Sequence, residues 1–453
     1  MALINPSNGR SLREARSMSL KEAGDIANEC ARSAQHWASK SVNVRAECFD
    51  SLATVLRSSA NDYAELMAVE MGKAVVEGRA EIEKCANCCE YYAANAQQML
   101  NERPIASDAT KSYVAFEPLG VILAIMPWNF PFWQVFRCAA PALMAGNAMI
   151  LKHASNVPGC AEAIEDAFVK AGFPKKVLSN VYLNNEDTEA LIDEPSVAAV
   201  TLTGSTRAGR AVAARAGAAL KKCVLELGGS DPYVVLADAD IELASKTCVK
   251  SRFINAGQSC IAAKRFIVEK RVLEEFQAQV LKHMQAVRVG SPLDEDTDIG
   301  PMARMDLRDE LYSQVQDSIK KGAKLLLGGE VPDKPGAWFP PTVLGNVGTG
   351  MPAYHEELFG PVASIIEAQD QDDALRIAND TNYGLGAAIF SKDSEKAERL
   401  AKKSLQAGSC FVNTFVRSDS RLPFGGIKHS GHGRELSEFG IHEFTNIKTV
   451  FVA

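Results

Sequence analysis

The feature that most constrains this chain is an alternation. Between Leu119 and Leu236 the short apolar runs LGVILAIM, NAMILK, VLSNVYL, VAAVTLTGS, KCVLELGG and YVVLA are separated by amphipathic segments of helix length. Runs this short, rich in Val, Ile and Leu and bounded by Gly or Asn, read as buried strands. Strands separated by helices assemble into a mainly parallel sheet covered on its faces, which predicts an α/β fold. A second series follows, with KRFIVE, AKLLLGG, VASIIEA, LGAAIFS and GSCFVN spaced by helix-like stretches over 272–287, 305–322 and 370–379, and predicts a second α/β domain. Residues 19–98 carry a helical pattern. Residues 106–117 and 443–452, rich in Val, Phe, Thr and Tyr, read as strands that pair outside the main sheets, including with another subunit. Open parallel sheets bind ligands at the carboxyl ends of their strands, so the loops there are where chemistry is to be sought.

Composition excludes several classes. A chain of 453 residues exceeds a single core, and 47% hydrophobic with 23% charged residues is ordinary for a globular protein. The net charge is −7 and Lys and Arg are scattered, so nucleic acid is not expected as a partner. The start, MALINPSNGRSLREARS, turns polar at once and has no apolar core followed by a small-residue cleavage site, unlike a secretory signal, so a cytoplasmic location is expected. The most apolar stretch, 119–151, is broken by Pro127, Asn129, Pro131, Arg137, Pro141 and Asn147 and is expected inside the protein, not in a membrane. The 11 cysteines are mostly embedded in helical or strand-like runs, as reduced thiols would be. Cys85 and Cys88 form a lone C-x-x-C without a second pair or a neighbouring His, and no metal is expected there.

Three strand-end loops carry chemistry. In Pro127-Trp128-Asn129-Phe130-Pro131 two prolines restrict the backbone and present the Asn129 amide in a fixed direction, as an oxyanion donor requires; the alternative is a turn Asn serving its own loop. In VLELGG, Glu226 lies inside an apolar strand that runs into a glycine pair, where lost hydration raises a carboxyl toward the range of a general base; the alternative is a buried ion pair. In NAGQSCIAA, Cys260 ends a glycine-containing turn. Taken alone such a thiol is more often inert core, and only the other two loops make it a candidate nucleophile.

Taken together, PWNFP, LKHAS, TLTGST, LELGG, NAGQSC, EELFGP and PFGGIKHSG, in this order, resemble the aldehyde dehydrogenase superfamily along essentially the whole chain. The resemblance implies a Rossmann-type cofactor-binding domain over 1–101 and 118–228, a catalytic domain over 229–430, and a bridging sheet for oligomerisation over 102–117 and 440–453. It implies that Cys260 is the nucleophile, Glu226 the general base and Asn129 the side-chain half of the oxyanion hole. The aldehyde is then oxidised through a thiohemiacetal and a thioester that water hydrolyses. Trp128, Lys152, Ser155, Gly204, Ser205, Gly228, Glu357 and Phe359 are expected to hold NAD or NADP: Lys152 at the adenosine ribose, Ser205 at the pyrophosphate, Glu357 and Phe359 at the nicotinamide ribose. Ser155 stands where NAD-preferring relatives commonly have an acid, which favours NADP modestly; its alternative is a helix N-cap.

Within the superfamily the chain is most similar to succinate-semialdehyde dehydrogenases of the short bacterial type. Arg137 aligns with an arginine that grips the substrate's distal carboxylate in such enzymes; the alternative is an ion pair to a nearby acid. Many relatives place a second arginine six residues before the cysteine, where this chain has Ile254, so Ser418 or Arg421 is expected to supply that contact, with Trp133 alongside. Another carboxylate-bearing aldehyde, a cofactor-independent thiol esterase and an inactive scaffold are the other readings. A small-molecule aldehyde is the expected partner, in a homodimer or homotetramer.

Overall fold

The computed structural model of the protein describes residues 2–14 and 16–453. Among these, the first alternating series forms a six-stranded sheet in the order Gly431–His432, Lys222–Glu226, Val197–Thr203, Val121–Met126, Ala148–His153, Leu178–Asn180. All its pairings are parallel except that of Gly431–His432. The second series forms a seven-stranded sheet, Lys324–Leu327, Thr342–Gly345, Val362–Ala368, Arg265–Glu269, Pro232–Val235, Gly386–Phe390, Ser409–Val412, parallel except at its first strand. YVVLA, which continues the first series in sequence, is a strand of the second sheet: the chain crosses over at Gly228-Gly229, where the glycine pair lets the backbone leave one sheet for the other.

The helical region resolves into Leu20–Ala38, Val42–Ser58, Ala60–Met71 and Val75–Met99. The first starts at a capping box, Ser19 accepting from the Glu22 N–H while Glu22 reaches back to the Ser19 N–H. Helix Val75–Met99 buries Ile82, Cys85, Ala86, Cys89, Tyr92 and Ala96, spaced three and four apart, against helix Trp133–Met144. Every residue of Trp133–Met144 is buried, and it carries Trp133 and Arg137 one turn apart. Cys85 and Cys88 lie in this packing, where burial pushes both thiols up. The strand-like segments at 106–117 and 443–452 pair with each other: Thr445–Val452 runs antiparallel to Lys111–Pro118, and Arg103–Pro104 adds on the far side. Among the described residues no helix is long and apolar enough to cross a membrane, and no group of three or more His, Cys, Asp and Glu side chains is arranged to hold a metal.

Candidate active site

Strand Val121–Met126 runs into the PWNFP loop, strand Lys222–Glu226 ends on Glu226, and helix Ile241–Phe253 runs into the turn before Cys260. Asn129, Glu226 and Cys260, far apart in the chain, all line one cavity of about 470 Å³. The cysteine turn is strained. Asn255 (φ 55°), Ala256 (φ 52°) and Gly257 (φ 77°) are consecutive left-handed residues, and a Cβ on Gly257 would strike the Gly360 carbonyl. Polar contacts hold the strain in place: Glu77 accepts from the Asn255 N–H at 2.9 Å, and the Gln258 side chain accepts from the Ala303 N–H at 2.9 Å.

The two loops are stitched together. Asn129 Nδ2 donates to the Gln258 carbonyl at 3.1 Å, and Asn255 Nδ2 donates to the Asn129 carbonyl at 2.6 Å. An amide has two hydrogens, so Asn129 keeps one for the cavity. From behind, His153 anchors the PWNFP loop through Nε2 and the Pro131 carbonyl at 2.9 Å; burial depresses its pKa to about 4, and its Nδ1 accepts from the Ala154 N–H. Glu81, paired with Lys73, accepts from the N–H groups of Phe132 and Trp133 at 2.9 Å each and so caps the helix that follows the loop. These supports, Glu77, Glu81 and His153, were missed in the sequence because each lies far from the loop it holds.

Burial acts on both Glu226 and Cys260. Burial and the neighbouring Glu435 raise the Glu226 carboxyl well above its ordinary value, opposed by Arg137 and Arg434, and neither Glu226 oxygen has a hydrogen-bond partner. Burial pushes the Cys260 thiol up to about 12, opposed by the positive charges of Arg137 and Lys264. Lys264 donates to the carbonyls of Ser259 and Cys260 at 2.8 Å each and pairs with Glu357 at 3.3 Å, which fixes the cysteine turn from its far side.

The expected cofactor residues divide between two cavities. Trp128, Gly204, Ser205, Gly228, Glu357 and Phe359 line the one holding Cys260, with the rings of Trp128 and Phe359 edge to face at 5.9 Å. Ser205 caps helix Thr206–Ala218, accepting from the Ala208 N–H at 3.2 Å. Gly228 gives room to Glu357, whose carboxylate a Cβ would strike, and Glu357 accepts from the Gly229 N–H at 3.1 Å. Lys152 and Ser155 line a second cavity of about 370 Å³ with Arg16 and Tyr182. Burial lowers the Lys152 pKa. Ser155 is exposed and caps nothing: helix Pro158–Lys170 begins after Val157 with no side-chain cap, which removes the N-cap reading.

The expected substrate residues also separate. Arg137 is held on two of its three nitrogens: its Nε pairs with Glu435 and its Nη2 donates to Thr203 at 3.2 Å, while its buried guanidinium lies 4.4 Å from the Phe424 ring centre. The ion-pair alternative describes this arrangement. Arg421 is exposed and pairs with Asp419 at 2.7 Å. Trp133 and Ser418 do meet, with Trp133 Nε1 donating to Ser418 Oγ at 3.0 Å.

The chain as a whole is similar to known proteins. Residues 1–450 match the aldehyde dehydrogenase family. The chain is 47% identical over 451 residues to the succinate semialdehyde dehydrogenase [NAD(P)+] Sad of Escherichia coli K12, covering 99% of this chain and 97% of that one. It is 44% identical to a probable succinate-semialdehyde dehydrogenase [NADP(+)] of Synechocystis, covering 100% of both. The solved succinic semialdehyde dehydrogenase of Streptococcus pyogenes, in complex with NADP+, superposes with a TM-score of 0.97 at 35% identity, covering 100% of this chain and 99% of that one. With its two α/β sheets, its strand-end loops and its full length all accounted for by these likenesses, the chain belongs to the aldehyde dehydrogenase family.

Proposed function

We propose that this protein oxidises succinate semialdehyde to succinate with NADP or NAD, Cys260 being the nucleophile, Glu226 the general base and Asn129 an oxyanion donor. The observation that carries the reading is the convergence of these three residues on one cavity, in a chain 44–47% identical to proteins named for that reaction. The cavity suits a dinucleotide: the start of helix Thr206–Ala218 offers N–H groups to a pyrophosphate, and Trp128 and Phe359 supply flat apolar walls. When bound, the dinucleotide supplies the hydride acceptor. Cys260 Sγ, its proton lost to solvent water, attacks the carbonyl carbon as the thiolate. The oxygen's negative charge is met by the free Asn129 amide hydrogen and the Cys260 N–H, which has no acceptor among the described residues. After oxidation to the thioester, Glu226 takes a proton from water, the water oxygen adds to the acyl carbon, and the C–S bond breaks to release the acid and the thiolate.

On this reading 1–101 and 118–228 form the cofactor domain, 229–430 the catalytic domain, and the sheet of 102–117 with 440–453 the bridge between subunits. That sheet exposes Ile105, Ile447 and Phe451, apolar side chains suited to an interface in a homodimer or homotetramer. The deciding experiment is a panel of aldehydes with and without a terminal carboxylate, run with each dinucleotide and with none. Succinate semialdehyde is expected to give the highest kcat/KM, only with dinucleotide present. Ester cleavage without dinucleotide and no aldehyde oxidation would replace this reading with a thiol esterase.

A further inference from the structure

Arg137 is paired with Glu435 and Arg421 with Asp419, so a carboxylate-bearing aldehyde is better served by a cation that has no carboxylate partner. Lys84, in the middle of helix Val75–Met99, is half-buried, and its Nζ donates to Ser418 Oγ at 2.7 Å and lies 4.2 Å from the Trp133 ring centre. Ser418 Oγ thus accepts from both Lys84 and Trp133 Nε1, while the Ser418 hydroxyl hydrogen and two of the three ammonium hydrogens have no acceptor among the described residues. Three donors meet here with no anion to receive them.

The surrounding carboxylates are all engaged elsewhere. Glu81, one turn back on the same helix, is held by Lys73 and by the N–H groups of Phe132 and Trp133. Glu83 and Glu90 bind Arg57, and Asp419 binds Arg421. Burial and the positive charge of Arg137 hold the Lys84 pKa down to about 8, as befits an ammonium that lacks a counter-ion; Glu81, Cys85 and Cys88 oppose this only in part. The cluster is linked to Cys260 and Glu226 through Arg137 and through the loop that follows Ser418. Trp133 stands one turn from Arg137, whose charge is felt at both Cys260 and Glu226, and the loop bearing Ser418 runs on to Gly425, whose Cβ would sit 2.8 Å from Glu226 Oε1.

We propose that Lys84, with the Ser418 hydroxyl, binds the distal carboxylate of the aldehyde, in the place the sequence assigns to arginines. The inference rests on the proposed succinate-semialdehyde activity. It names a lysine where a point charge and one hydroxyl take the part of a bidentate fork.

The test is steady-state kinetics of Lys84→Met and Lys84→Arg on succinate semialdehyde and on butanal, a neutral aldehyde of equal chain length. Lys84→Met is expected to raise the KM for succinate semialdehyde about thirty-fold or more while leaving the butanal KM within about two-fold, and Lys84→Arg to recover most of the loss. Succinate added as a dead-end inhibitor is expected to lose potency in Lys84→Met in parallel. Equal losses on both aldehydes would assign Lys84 to packing and overturn the proposal, as would an unchanged KM for succinate semialdehyde. A wild-type protein that oxidises butanal as well as succinate semialdehyde would instead refute the activity itself, before any variant is made.

Discussion

In the proposed site, the end that holds Cys260 and the end that holds Lys84 are built in opposite ways. At the reacting end the main chain does the holding: Asn129 is tied to the Gln258 carbonyl, Asn255 to the Asn129 carbonyl, and Lys264 to the carbonyls of Ser259 and Cys260. At the far end only side chains meet, Lys84, Trp133 and Ser418 coming from two helices and a loop. Main-chain anchors fix a reacting geometry closely, which covalent catalysis requires. Side-chain clusters are retuned by single substitutions without moving the reacting groups, so one catalytic frame accepts different aldehydes. Mutations at the two ends should therefore fail differently.

The largest effect is expected at the thiol. Cys260→Ala is expected to abolish aldehyde oxidation on every substrate, since no covalent intermediate forms. Turnover at the wild-type rate would end the proposed mechanism. Glu226→Gln is expected to acylate normally but to slow thioester hydrolysis by about a hundred-fold or more, leaving a burst of reduced dinucleotide without sustained turnover. A variant with no burst would move Glu226 to the acylation step.

Arg137→Leu tests which end of the site Arg137 serves. Removing it strands Glu435 without its partner in the interior, at an expected cost of about 3–5 kcal/mol in stability, read from chemical denaturation. Succinate semialdehyde and butanal should suffer alike. A rise in KM confined to succinate semialdehyde would return Arg137 to the substrate's carboxylate and erase the contrast between the two ends.

The pH dependence follows from the two reacting groups. Both the Cys260 thiol and the Glu226 carboxyl must lose a proton, and burial raises both, so the active forms are depleted as pH falls. Initial rates are expected to climb between pH 7 and 9, with single-turnover acylation by Cys260 rising up to about ten-fold per unit while the thiol stays mostly protonated. A flat acylation profile over that range would mean that bound dinucleotide or substrate lowers the thiol before attack.

Much of the main-chain end was legible in the sequence because its residues sit in short contiguous runs: PWNFP and LELGG lie at the ends of strands that announce themselves by apolar composition, whereas NAGQSC, expected at a strand end, follows helix Ile241–Phe253 and precedes strand Arg265–Glu269. The sheets were legible for the same reason, except that YVVLA was grouped with the wrong series: local pattern reports a strand, not the sheet it joins. The far end was only half visible. Trp133 and Ser418 were singled out, but Lys84 sits amid an ordinary amphipathic helix, and nothing local distinguishes it from the solvated lysines that such helices carry. Nor does any spacing in the chain disclose that Glu435 occupies Arg137 from 298 residues away.

The smallest effect belongs to the second cavity, where Ser155 lies with Lys152, Arg16 and Tyr182. Ser155 caps no helix, so its hydroxyl is free to serve a ligand, and a phosphate on the adenosine ribose is the anion that this setting suits. Arg16 is only partly available, since it pairs with Glu162 at 3.3 Å. The preference for NADP over NAD should accordingly be modest. Ser155→Glu places a carboxylate where the 2′-phosphate would sit, and like charges there penalise NADP alone. The variant is expected to lower kcat/KM for NADP by about ten-fold, the cost of one partly solvated charge clash, with NAD unchanged or improved. The ratio of kcat/KM for the two dinucleotides, measured in wild type and variant on the same aldehyde, isolates this effect from any change in the chemistry at Cys260. An unchanged ratio would place the 2′-position away from Ser155 and leave dinucleotide choice to Lys152 and Arg16.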